Sequence, residues 1–294
     1  MPHILRSGDL EIHVDEPSEG YNFSRFDWTG KITRLRFRNT PLCTTELKGT
    51  NFSSRYGMGL YNEFGIDRAL GYDDAEPGEW FLKIGVGALK RKPEPYLFSN
   101  SYQIEPARFE TEHMTSGIVF HCVSDNINGY SYKLRKEILL EDQSLVLNYY
   151  LKNIGEKDIV TDEYTHNFMA VNQDPIGEAY VLKFPFELKP GASGEVVDPE
   201  KKVEMVDDRI RFLGTPVDQF FFSHLNGQEA VPANWQLEHR ESNIRVQETG
   251  SFHSGKVNLW GWQHVVSPEL FHRFTLNPGE STQWSRTYHI EALP

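Results

Sequence analysis

The chain has 294 residues, of which 38% are hydrophobic and 13% aromatic, enough to bury the core of one large domain. A formal net charge of −12 argues against a binder of phosphate backbones, which needs a concentrated basic face, and leaves a neutral small molecule as the easier partner. No apolar run approaches the roughly 18 residues of a membrane span.

The opening Met1-Pro2-His3-Ile4-Leu5-Arg6 lacks the basic and apolar regions of a signal peptide, so a cytoplasmic location is expected. Short alternating runs follow one another along the chain, and helical periodicity is scarce. Lys31–Phe37 reads as a strand. Residues 51–79 break the pattern, being rich in glycine and acid with Tyr56, Tyr61 and Phe64 among them; such a connection on a β scaffold is a candidate ligand-binding loop. A strand pattern then carries Lys83 among apolar neighbours, where lysine ordinarily snorkels to solvent. Gly85-Val86-Gly87 is no dinucleotide fingerprint, because no third glycine and helix follow.

Gly117–Val123 is the next strand, and residues 132–140 and 145–151 make a hairpin across Glu141-Asp142-Gln143-Ser144. Tyr132, Leu134, Ile138 and Leu140 share one side of it with Leu145, Leu147, Tyr149 and Leu151. Asn153-Ile154-Gly155-Glu156 turns the chain into a third strand, 158–168, ending Glu163-Tyr164-Thr165-His166-Asn167-Phe168. Residues 185–204, rich in proline and charge, read as a solvated excursion. Strands at 210–213, 219–225, 235–238, 244–247 and 256–260 complete the series, with Asn128-Gly129, Pro190-Gly191, Asn226-Gly227 and Pro278-Gly279 as turns. The pattern predicts one all-β domain, residues 1–294, built as a large sandwich of antiparallel sheets.

Three groups of residues can carry chemistry. His166, on a rigid strand, is a candidate proton donor, although a lone histidine is more often satisfied by neighbouring backbone. Glu269, after Ser267-Pro268 and before Leu270-Phe271, sits in apolar company that would disfavour an unpartnered charge and move it toward a useful base, although an isolated glutamate more commonly opens a turn and faces water. Trp260 and Trp262, just before His264, offer flat apolar faces to a sugar ring. Asp218 opens the aromatic strand Gln219-Phe220-Phe221-Phe222, where it either accepts hydrogen bonds from ligand hydroxyls or caps the preceding turn. Cys43 and Cys122 are read as buried free thiols, and the histidines, His113 among them, lack metal-site spacing, so no metal or cofactor is expected.

The succession Tyr132-x-Leu134, Leu145-x-Leu147-x-Tyr149-x-Leu151-x-Asn153 and Glu163-Tyr164-Thr165-His166-Asn167-Phe168 resembles the central part of the galactose mutarotase-like (aldose 1-epimerase) superfamily. Val217-Asp218-Gln219-Phe220, Pro268-Glu269, Leu276-Asn277-Pro278-Gly279-Glu280 and Thr287-Tyr288-His289-Ile290 are similar to its later strands. The resemblance implies a β-supersandwich, His166 as general acid, Glu269 as general base and Asp218 as a holder of sugar hydroxyls. It also implies an isomerase that interconverts sugar anomers. His264 joins Lys83, Trp260 and Trp262 among the implied contacts to the sugar. Two departures stand out. The family's early His-Gly motif is replaced by Phe81-Leu82-Lys83-Ile84-Gly85, with Lys83 in the histidine's place, and Ser267-Pro268-Glu269 replaces the usual surroundings of the base. Two other classes stay open: a carbohydrate-binding or regulatory protein without turnover, and an enzyme cleaving uronic-acid polysaccharides.

Overall fold

A computed structural model describes residues 2–49 and 54–294; residues 51–53 of the glycine-rich connection lie outside them. Two ten-stranded sheets pack face to face, with a separate three-stranded sheet at Trp80–Lys83, Gly87–Lys90 and Ile104–Pro106. Every named strand pair is antiparallel. The first sheet runs in space from His3–Ser7 through Leu10–Asp15, Lys31–Phe37, Leu60–Phe64, Ile159–Asn167 and Val265–Leu276 to Lys256–Trp262, Phe220–Phe222 and Val196–Val197. The second has Ser281–Ala292 near its middle, between Ile244–Ser254 and Ser144–Asn153, and ends on Arg108–Met114. Among the described residues the one helical element is a short 3₁₀ turn, Val171–Gln173.

The expected hairpin is present as Tyr132–Glu141 and Ser144–Asn153, with Leu140 opposite Leu145 and Asp142 in the left-handed region at φ +51°. All eight apolar residues assigned to its inner side are buried, which is the period of two expressed as packing. The turn after it does something else. Ile159–Asn167 joins the opposite sheet, and Ser281–Ala292 takes the vacant place beside Ser144–Asn153. Buried Asn153 holds this crossing together: its amide donates to the carbonyls of Lys157 (2.8 Å) and Leu276 (2.9 Å) and its oxygen accepts from Gly155 (2.9 Å).

Gly85 and Gly87, at φ +79° and +142°, form the tight turn between Trp80–Lys83 and Gly87–Lys90. A Cβ on Gly85 would lie 2.2 Å from Asp27 Oδ1, so close backbone approach explains the glycine where no nucleotide does. Cys43 and Cys122 are buried and free. No helix among the described residues is long and apolar enough to cross a membrane.

Candidate active site

Alternation along Ile159–Asn167 sorts its side chains by task. Glu163, Thr165 and Asn167 point between the sheets, where Glu163 meets Trp284 and Arg286 and Asn167 meets Glu248 and Tyr288. Tyr164, His166 and Phe168 point to the opposite face of the strand. Val160 and Asp162 share that face and are exposed and half-buried, whereas Tyr164 and His166 are covered by other side chains. Asn258 lies opposite Glu269 in the pairing of Lys256–Trp262 with Val265–Leu276, and both residues line the same cleft as His166.

That cleft holds about 470 Å³, a volume suited to a small ligand. His166, Glu269, Tyr164, Trp260, Trp262 and Arg25 line it, with Asn258, Gln219, Phe221, Lys256 and Asp67 around them. A larger hollow of about 600 Å³ on the second sheet, lined by residues including Pro232, Gln247 and His253, contains no carboxylate. The smaller cleft, by contrast, brings a histidine and a carboxylate together.

His166 Nε2 and Glu269 Oε1 are 3.5 Å apart, and both residues are almost fully buried. His166 stacks on Phe168 with ring centroids 4.1 Å apart, and the Trp260 ring meets it edge-on at 5.1 Å. This aromatic sleeve removes water, and desolvation pushes the imidazole well below its ordinary range, helped by the nearby Arg25 charge. The same loss of water pushes the Glu269 carboxyl up to about 8; Arg25, Lys256 and a hydrogen bond from Asn258 pull against it, and Glu63 adds to it. Both shifts run in one direction: they favour the proton of the pair on Glu269 over His166.

Arg25 forms the floor. Its Nε donates to Glu63 Oε2 (2.9 Å), one Nη to Glu46 (3.0 Å) and the other to the Tyr164 hydroxyl (3.2 Å), while Phe26 and Phe98 each lie 4.4 Å from its guanidinium. At the rim Lys256 pairs with Asp67 at 2.9 Å.

Not every expected residue reaches the cleft. Trp260 and Trp262 line it, and so do Tyr56 and Asp67 from the glycine-rich connection. Asp218 lies in the bend before Phe220–Phe222, exposed and outside the cleft, and its neighbour Gln219 lines the cleft instead. The Asp218 amide donates to Glu200 at 2.7 Å, a contact that belongs to its loop. Lys83 is sealed beneath the site, bonded to Glu63 (3.1 Å), the Gly65 carbonyl (3.2 Å) and the Tyr96 hydroxyl (3.0 Å). Burial with a carboxylate partner replaces the snorkelling or sugar contact expected of it. His264 faces a neighbouring groove, 3.0 Å from the Thr45 carbonyl.

No protein-family model and no curated protein matches this sequence. Solved structures do match it along its whole length. A candidate aldose 1-epimerase of Escherichia coli K12 superimposes with a TM-score of 0.62 at 12% identity, covering 100% of this chain and 99% of that one. A galactose mutarotase-like protein of Lactobacillus casei gives 0.59 at 11% identity, with 99% and 100% covered. A galactose mutarotase related enzyme of Lactobacillus acidophilus gives 0.58 at 12%, with 100% and 98% covered. The chain has the galactose mutarotase-like fold. At such identities the likeness extends to the fold alone, so the chemistry must be argued from the cleft itself. Within this mutarotase-like sandwich, the floor arginine was not foreseen from sequence. Arg25 lies in Phe23-Ser24-Arg25-Phe26-Asp27-Trp28, whose dense aromatics are the only local hint of a site.

Proposed function

We propose that the cleft interconverts the anomers of a free aldose by acid–base catalysis between Glu269 and His166. The observation that carries this reading is their 3.5 Å approach in a water-poor cleft walled by Trp260 and Trp262. Anomer exchange needs one proton removed from the C1 hydroxyl and one delivered to the ring oxygen. The ring opens, the C1–C2 bond rotates, and closure reverses both transfers. With Glu269 near O1 and His166 near O5, each residue is base in one half of the cycle and acid in the other, and one proton serves the pair.

The directions of the two shifts favour one half of this cycle. Protonated Glu269 and neutral His166 complement the open-chain sugar: the carboxylic acid can give its proton to the aldehyde oxygen while the imidazole accepts one from the C5 hydroxyl. Opening a cyclic sugar requires the proton on His166, a transfer across the short gap between the two groups. Trp260 and Trp262 would pack on the apolar face of the pyranose, and Asn258 and Gln219 would receive its hydroxyls. The names of the structural relatives, aldose 1-epimerase and galactose mutarotase, are in keeping with such a substrate.

NMR exchange spectroscopy across a panel of free aldoses tests this. Exchange should exceed the buffer rate, and Glu269→Gln and His166→Ala should each reduce it by about 10²–10⁴-fold. Wild-type rates equal to buffer, or variants as fast as wild type, would defeat the proposal. A non-catalytic sugar-binding role has one observation in its favour: Lys83, standing where the family's second histidine is expected, is locked under the cleft and offers no second proton carrier there. Sugar affinity without rate enhancement would be its signature.

A further inference from the structure

The two sheets meet again far from the cleft. His3 lies on the outermost strand of the first sheet and His113 on the outermost strand of the second, Arg108–Met114; three strands separate His3–Ser7 from the strand of His166. Glu16 follows directly on Leu10–Asp15, the neighbour of the His3 strand. Nε2 of His3 is 2.5 Å from Glu16 Oε1, and the His3 and His113 rings meet edge-to-face at 4.5 Å. One ligand atom from each of the three residues falls within 4.8 Å of the others. The second oxygen of Glu16 is taken by the Thr111 hydroxyl at 2.7 Å, so a residue from the strand of His113 fixes the plane of the carboxylate.

We propose that His3, Glu16 and His113 form a binding site for a borderline divalent transition metal such as zinc, clasping one edge of each sheet. Two imidazoles and one carboxylate suit zinc, with nitrogen and oxygen donors at roughly 2.0–2.2 Å and a fourth position left to solvent. The separation of the three donors is compatible with one ion drawing them inward by small side-chain rotations. Thr111 supplies the outer hydrogen bond that commonly orients a ligating carboxylate. A hard cation such as magnesium would find too few oxygens here. Edge strands present unpaired backbone groups, so cross-linking His3–Ser7 to Arg108–Met114 through an ion ties one edge of the first sheet to one edge of the second.

Isothermal titration of the full-length protein, free of any histidine tag, with zinc chloride tests the site without reference to activity. The expected result is one equivalent bound. At about 100-fold excess over Kd the melting temperature should rise by about 3–5 °C. Replacing zinc by cobalt should produce visible absorption bands of a low-coordinate nitrogen–oxygen site. His113→Ala and Glu16→Gln should abolish the stoichiometric binding and the cobalt spectrum, whereas His253→Ala, on an exposed stretch of the second sheet, should keep both. Absence of binding tighter than about 100 µM in the wild type, or binding undiminished in His113→Ala and Glu16→Gln, overturns the proposal. Because both variants lie outside the cleft, sugar exchange is free to stand or fall on its own.

Discussion

Glu269 ties ionisation to stability. Its carboxyl titrates at 4.5 when unperturbed and at about 8 in the fold. Between those values the native state holds a proton that the unfolded chain has released, so stability falls as pH rises through this window. Glu269→Gln removes the effect. Its denaturation midpoint relative to wild type should therefore improve steadily from pH 5 to pH 8, and a pH-independent difference would contradict the buried acid. His166 has the opposite sign: its folded value is depressed, so the native state loses stability as pH falls below the ordinary imidazole range. The pair also sets the rate. Exchange needs one proton between the two groups, so activity should decline above about pH 8, where Glu269 releases it. A pH–rate profile still rising at pH 9 would exclude that assignment.

The strand Ile159–Asn167 serves two environments at once, and its alternation separates stability from binding. Asn167 gives its amide to Glu248 (3.2 Å) and the Pro268 carbonyl (2.7 Å), and its oxygen accepts from Tyr288 (2.9 Å). Asn167→Ala should cost about 1–3 kcal/mol in denaturant titrations by leaving these groups unpaired. Val160, 46% exposed, should tolerate replacement by threonine within about 0.5 kcal/mol. This two-sided logic was legible in the sequence as far as periodicity reaches. The hairpin 132–151 and the strand carrying His166 could be read directly, because their alternation is local. The direction of His166 could not be read, since it depends on which sheet the strand joins, and the turn at Asn153 does not announce a crossing. Glu269 came into view through its apolar neighbours Leu270 and Phe271, and the resemblance then gave it the role of base. Asp218 could not be placed, because it sits in a bend before the paired strand Phe220–Phe222, where alternation no longer tells which way a side chain faces. Arg25, and the meeting of His3 with His113, have no local signature, because each depends on contacts between distant strands.

At the scale of the molecule, charge is buried between the sheets as well as apolar area. Arg286 is fully enclosed, with Glu248 at 2.5 Å and Glu163 at 2.8 Å, and Trp235 and Trp284 donate to the same two carboxylates. Removing the cation strands two carboxylates in a medium that solvates neither. Arg286→Met should lower stability by about 3–5 kcal/mol in chemical denaturation. A loss below about 1 kcal/mol would show that the carboxylates find protons or water without it. Arg286 lies on Ser281–Ala292, the strand that joins the two halves of the second sheet.

That placement constrains how the protein can be made. Ser281–Ala292 follows all the other strands in the chain yet pairs with Ser144–Asn153 on one side and Ile244–Ser254 on the other. During synthesis the two halves of the second sheet wait on the ribosome with facing hydrogen-bond edges open, and Glu163 and Glu248 wait without their cation. The fold can lock only when this strand has cleared the exit tunnel. A nascent chain stalled before residue 281 should thus be cut readily by protease, and release of the remaining strand should confer resistance in a single step.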